Sequence, residues 1–267
     1  MTLPPFDASD ADLTLRTPDG TTFNVYSRIL AIASPVFHDM FTLPQPPNAG
    51  SPATVDVSET REVMEVLLRL IYPIEDPPID TLSLLGDTLV AAHKYDMKSA
   101  CQSLARLLVF PPKSMKEQPI RVYAIACRYG LDEAAKLASS YTLHVNILDA
   151  TPIEEIKFIT GYDYYRLLRL HRGRGAAAQS LVASAASPFK CPACGNPSPK
   201  WWTDWSTRAK EELRLRPTTE VIFSQPFLAI EAIEAQKECE ICETMLPSAH
   251  TVLLVLKEHI DKLPATI

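Results

Sequence analysis

Residues 12–41 read DLTLRTPDGTTFNVYSRILAIASPVFHDMF, and their pattern decides how the chain begins to fold. Leu13 and Leu15 alternate with polar neighbours, the period of a half-buried strand. Pro18-Asp19-Gly20 follows as a turn, because Pro presets φ at the first corner and Gly tolerates positive φ at the last. Phe23 and Val25 alternate again, so the stretch predicts a β-hairpin. Leu30, Ala31 and Ala33 belong to a helix. Ser34 is placed to cap a second one, with Pro35 at its first position and Val36, Phe37, Met40 and Phe41 at helical spacing. A hairpin feeding two short helices is a scaffold. It offers no nucleophile, no phosphate-cradling glycines and no metal ligands.

Downstream, Leu43 to Thr54 is a Pro/Gly/Ser/Asn loop and Val55-Asp56-Val57 predicts a short strand. Ser58 starts a helix whose buried stripe is Val63, Val66, Leu67, Leu70 and Ile71. Tyr72 to Ile79 is a Pro-broken loop. Helices from about Asp80 to Lys94 and from Met97 to Val109 follow, and Pro111-Pro112 marks a boundary.

This order resembles the BTB/POZ family. The resemblance rests on Asp12, the strand-turn-strand over Pro18 to Val25, Ile29-Leu30, and Ser34-Pro35-Val36-Phe37 with Met40-Phe41. Leu67-Leu68-Arg69-Leu70-Ile71-Tyr72 and Leu89 to Met97 (LVAAHKYDM) fit as well. Tyr26 stands where the family usually places a histidine. Many members dimerise by exchanging a strand and helix that precede the hairpin. Residues 1–11, with Pro4 and Pro5, are short for both and read as a mobile tail.

The chain of 267 residues has room for two domains or one with an extension. Pro is abundant (23) and Gly scarce (8), which predicts many short helices separated by Pro loops. No apolar run approaches the ~20 residues of a membrane helix. The first residues lack the basic and apolar regions of a secretion signal, so an intracellular setting, cytoplasmic or nuclear, is expected and the six cysteines are not read as a disulfide set. Net charge is −6, divided as −7 over residues 1–110, +3 over 111–189 and −2 over 190–267. An acidic first domain repels phosphate backbones and disfavours nucleic acid as a partner.

The middle of the chain is all helix. Ile120, Val122, Tyr123, Ile125, Ala126 and Tyr129 give one apolar face, ended by Gly130, and Leu131 to Tyr141 gives a second helix. Pro152 opens a third over Ile153, Ile156 and Ile159. A fourth begins at Asp163, passes His171 and extends towards Ala186. Tyr162-Asp163-Tyr164-Tyr165 reads as helix packing, with peptide docking as the alternative. Such helices after a BTB domain resemble the BACK-type extension found in fungal BTB proteins.

The chemistry-bearing motif lies near the end: Cys191-Pro192-Ala193-Cys194-Gly195 and, 44 residues later, Cys239-Glu240-Ile241-Cys242. A CxxC turn brings two sulfurs onto one ion, and Pro and Gly suit the tight turn beneath them. Two such turns supply four thiolates, a closed tetrahedral shell, and closed shells are structural. Cys191, Cys194, Cys239 and Cys242 are therefore the expected ligands of one structural Zn2+. The interval holds Trp201, Trp202 and Trp205, read as core, then a helix over Arg208 to Leu215 and another over Phe227 to Lys237. A redox pair at Cys191 and Cys194 is the rival reading, and it lacks the βαβ context such pairs require. Cys101 and Cys127 read as small buried hydrophobes. His144 and His171 show no ligand or acid partner at a meaningful spacing. No phosphate loop or nucleophile elbow occurs, and no catalytic or cofactor-binding residue is assigned.

The sequence thus predicts an α+β, predominantly helical protein. A BTB/POZ-like domain over residues 12–110 precedes a BACK-like extension over 111–187 and a zinc-stapled helical module over 188–267. The resemblance implies a non-enzymatic protein–protein interaction module or adaptor. Its partner is a protein: a second copy, or a cullin-type ubiquitin ligase scaffold bridged to a substrate. The alternatives are a thiol–disulfide redox protein, and a nucleic-acid-binding regulator using Lys200, Arg208, Lys210, Arg214 and Arg216.

Overall fold

The computed structural model describes residues 2–43, 53–110, 113–149, 153–185, 195, 199–236 and 246–267, with the backbone alone at 2–3, 231–236 and 246–250. The chain divides into two compact units after Ser114.

The first unit is built on a four-stranded sheet. Strands β1 (Thr2–Asp7), β2 (Leu13–Arg16), β3 (Thr22–Val25) and β4 (Ala53–Asp56) lie in the order β1-β3-β2-β4. The hairpin forms as its pattern predicts: β2 and β3 pair antiparallel, Leu13 opposite Val25 and Leu15 opposite Phe23. Asp19 accepts the Thr21 amide within the turn, and Gly20 takes the left-handed conformation at φ 80°. Leu13, Leu15, Phe23 and Val25 all point into the core.

Residues 2–7 correct the mobile-tail expectation. They form β1, parallel to β3, with Thr2 opposite Thr22 and Asp7 opposite Asn24. The cause is Phe6, 1% exposed, whose ring meets Phe23 edge-on at 5.9 Å and Tyr72 edge-on at 5.3 Å. Pro4 and Pro5 fall between Thr2 and Asp7, where the register with β3 is interrupted, and they are tolerated because β1 is an edge strand. No helix intervenes between β1 and the hairpin.

Helices α1 (Ser27–Ala33) and α2 (Pro35–Thr42) follow. Ser34 caps α2, its Oγ accepting the Phe37 amide at 3.1 Å and donating to the Tyr95 carbonyl at 2.5 Å. Helix α3 (Arg61–Ile71) starts later than expected. Thr60, not Ser58, is its cap, accepting the Val63 amide. Its buried face is Val63, Met64, Val66, Leu67 and Leu68, while Leu70 and Ile71 in the last turn are only half-buried. Helices α4 (Leu82–Lys94) and α5 (Lys98–Val109) pack on each other and on α3. Helix α6 (Lys113–Glu117) spans the division between units.

The second unit is helical among its described residues. Helices α7 (Pro119–Arg128) and α8 (Asp132–Thr142) pack face to face, joined through Gly130 at φ 63°. The segment expected as a third helix is a 3-10 turn, Glu154–Phe158. Ile153, Ile156 and Ile159 recur every three residues, which is the 3-10 repeat. The turn is tied to α7 by Arg121 to Glu155 at 2.5 Å and by the Arg128 guanidinium 4.0 Å over the Phe158 ring.

Helix α9 (Gly161–Ser184) is one long rod, capped by Thr160. It packs on α10 (Lys200–Leu215) and on α13 (Leu246–Asp261); α11 (Thr219–Ile222) and α12 (Gln225–Gln236) lie between these two in the chain. All three tryptophans sit in the first turns of α10, which begins at Lys200. They are buried, and Trp205 Nε1 donates to the Ile222 carbonyl at 3.0 Å. Ala178 and Val182 of α9 share this core with Leu256 and Ile260 of α13. A boundary at 187/188 is therefore not seen: residues 115–267 form one compact unit because α9 supplies one wall of the core expected of a separate C-terminal module.

Candidate interaction surfaces

The hairpin and helix α1 are locked by a polar cluster at their junction. Asp12 accepts the Ser27 amide at 2.8 Å and its hydroxyl at 2.5 Å. Burial opposes the Asp12 charge, but these bonds outweigh it and hold the carboxyl below its ordinary range. Tyr26, in the position where a histidine was expected, donates its hydroxyl to Asp10 at 2.9 Å, and its amide donates to the Tyr72 hydroxyl at 2.8 Å. On the other side, Lys94 Nζ reaches Ser58 Oγ and Glu59 Oε1, both at 2.7 Å, and the Tyr95 hydroxyl donates to Glu59 Oε2 at 2.6 Å. Burial and the Glu59 carboxylate push the Tyr95 phenol far up, so it remains a donor. The Tyr95 ring stacks on Phe37 at 4.7 Å. These groups are satisfied by one another, and none is poised for proton transfer to a substrate.

This unit leaves several large apolar side chains open. Ile32 is 79% exposed, Val36 42% and Leu43 63%, all on or just after α1 and α2. Phe110, 75% exposed, follows α5. Val36 carries helical periodicity yet faces outward; its neighbour Phe37 takes the inward position of that turn.

A small sheet, a hairpin feeding two helices and a closing set of helices, with apolar side chains outside and internally satisfied polar groups, define an interaction module. Residues 6–110 match the BTB/POZ domain model. A BTB/POZ domain is thus present over these residues, and the match begins at Phe6, the residue that anchors β1. No curated protein matches the chain.

In the second unit, Cys191, Cys194, Cys239 and Cys242 lie outside the described residues. Among the described residues no group of His, Cys, Asp or Glu is placed to hold a metal. Gly195, directly after Cys194, has φ 70°. Cys101 and Cys127 are half-buried rather than fully buried. Burial pushes both thiols up, that of Cys127 to about 11, so neither is an activated nucleophile.

His144 corrects the expectation of no acid partner: its Nδ1 lies 3.3 Å from Glu220. His171 is buried and shares a 3.0 Å hydrogen bond with Thr142 Oγ1, and burial pushes its pKa down to about 4. Of the tyrosine run, Tyr162 and Tyr165 are exposed and only Tyr164 is half-buried, so packing accounts for part of it alone. Three of the five basic residues on and just after α10 are engaged within the chain, while Arg214 is exposed. Lys200 pairs with Asp204 at 3.3 Å, Arg216 with Glu212 at 2.5 Å, and Arg208 stacks 4.3 Å over Phe227. No helix among the described residues is long and apolar enough to cross a membrane.

Proposed function

We propose that this chain is a non-enzymatic adaptor that uses its BTB/POZ unit to hold a protein partner, either a second copy or a cullin-type ligase scaffold, in the cytoplasm or nucleus. The observation that carries the reading is the BTB/POZ match over residues 6–110 together with the exposed Ile32, Val36 and Leu43 on that unit. Desolvating such side chains against a partner supplies affinity without any bond being made or broken. The second unit, a BACK-like helical extension in this reading, presents a further partner.

A structural Zn2+ held by Cys191, Cys194, Cys239 and Cys242 is part of the proposal. The paired CxxC spacing supports it, and so does the left-handed Gly195, a conformation suited to the tight turn under a metal-gripping Cys pair. The ion would join two stretches distant in sequence and contribute folding free energy to the second unit, with no position left for catalysis.

The test has two arms. Sedimentation of the protein alone, and titration with a purified cullin N-terminal domain, read the docking surface. Ile32→Asp and Val36→Asp are expected to weaken the association by tenfold or more. Wild-type protein that neither self-associates nor binds the cullin domain, or variants indistinguishable from it, would reject the docking reading. Elemental analysis reads the metal: one zinc per chain, lost in Cys191→Ser, with chelation melting the second unit first. Metal-free protein of unchanged stability would reject the zinc.

A further inference from the structure

Tyr162, Arg166, Arg169, Gly173 and Ala177 fall at steps of four, three, four and four residues along α9, so they share one helix face. That face walls a groove of about 600 Å³, closed on the other side by the 264–267 segment. The stretch from Tyr162 to Ala177 covers about 22 Å at 1.5 Å per residue. A wall of that length matches an extended chain of about seven residues.

The charged side chains that line it are all arginines. Arg169 is exposed and makes no hydrogen bond or ion pair among the described residues. Arg166 lies 3.8 Å from Asp163, whose carboxylate is already engaged by Thr160 Oγ1 at 2.5 Å, and 5.8 Å from the Tyr162 ring centre. The buried Arg174 adds a cation beneath the groove. Its donors go to backbone carbonyls, and Asp261 is the acid that acts on it through space. Gly173 leaves the middle of the groove open: a Cβ there would meet nothing within 4 Å.

We propose that this groove binds an extended acidic peptide carrying a Glu-x-Glu pair. Arginines one turn apart have Cβ atoms about 5–6 Å from each other. Alternate side chains of an extended strand project on one side at about 6.6 Å. Two carboxylates spaced i, i+2 therefore meet Arg166 and Arg169 together, while flanking apolar side chains rest on Tyr162 and Leu170. No proposed zinc ligand and no residue of the BTB/POZ unit lines the groove, so failure of either of those proposals leaves this one standing.

Fluorescence anisotropy of the full chain with fluorescein-labelled Gly-Leu-Glu-Thr-Glu-Leu-Gly tests it, with the same peptide carrying Gln for Glu as control. The acidic peptide binds saturably and more weakly as salt rises, and the Gln peptide loses the binding. The double variant R166Q/R169Q weakens affinity by about tenfold. Gly173→Leu, which keeps the charges and fills the groove, weakens it at least as much. Circular dichroism confirms that these surface variants stay folded. Absence of saturable binding, equal binding of the Gln peptide, or indifference to both variants would overturn the proposal.

Discussion

In the first unit, the edge strand β1 is held by an aromatic anchor: Phe6 sits between Phe23 and Tyr72, 1% exposed. In the second unit, the segment after α13 is held by a buried cation. Arg174 of α9 donates to the carbonyls of Ile260 at 3.0 Å, Pro264 at 3.2 Å and Leu263, and also to that of Pro217 at 2.8 Å. Both side chains fasten a terminal segment to a core. The ring does so by removing apolar area from water, and the guanidinium by saturating main-chain acceptors that would otherwise be buried unpaired. An apolar anchor tolerates replacement by another hydrophobe of similar volume. A guanidinium fork spread over two chain segments does not.

The contrast breaks or sharpens under mutation, and the tryptophans make it measurable, since all three lie in the second unit. The largest effect belongs to Phe6→Ala, which should cost the first unit about 3–5 kcal/mol. Far-UV circular dichroism, which sums both units, should gain an earlier unfolding phase, while the tryptophan-emission transition stays in place. Arg174→Met should instead lower the tryptophan-monitored transition by about 3 kcal/mol through orphaned carbonyls and leave the first unit's phase of the dichroism where it was. Equal movement of both transitions in both variants would mean that the units unfold as one, and the distinction would lose its meaning.

Acid supplies the next effect. His171 is neutral in the fold, with its pKa pushed by burial from 6.5 down to about 4. Its contribution is fully present above about pH 6.5, falls as pH drops towards 4, and totals about 3 kcal/mol. Urea midpoints of tryptophan emission at pH 7 and pH 4.5 should fall further for wild type than for His171→Gln. The same drop in both would assign acid sensitivity to other groups.

The smallest effects come from two glycines, two residues apart on α9. A Cβ at Gly175 would lie 3.0 Å from the Leu213 carbonyl oxygen of α10, whereas one at Gly173 meets open space. Gly175→Ala should lower the tryptophan-monitored stability by about 1 kcal/mol, after the gain in helix propensity is set against the clash. Gly173→Ala should raise it by about 0.5–1 kcal/mol. Effects of the same sign would show that helix propensity, not the approach of α10, governs this part of α9.

The same division explains what could be read in advance. The hairpin, the Ser34 cap and the helices up to Val109 follow from alternation, turn residues and apolar spacing, all local in sequence. β1 escaped because two prolines in a short segment resemble a loop, and only the distant partners Phe23 and Tyr72 make Phe6 an anchor. Ile153, Ile156 and Ile159 were read at helical period although a spacing of three fits 3-10 equally well. Arg174 and Gly175 carry no periodic signal at all, because their partners are backbone atoms 38 to 90 residues away. The groove along α9 was half legible. The tyrosine run drew notice, but the open wall depends on the 264–267 segment lying opposite, which no pattern within α9 reports.

The position of Pro4 and Pro5 has a consequence for how copies of this molecule meet. β1 is the outermost strand beside β3, and two of its six residues carry no amide hydrogen. A neighbouring chain laid along that rim would find gaps where successive main-chain bonds should form, so sheet-to-sheet growth stalls there. On this flank a homotypic contact through side chains, which can be released and reformed without unzipping a strand, is favoured over strand addition.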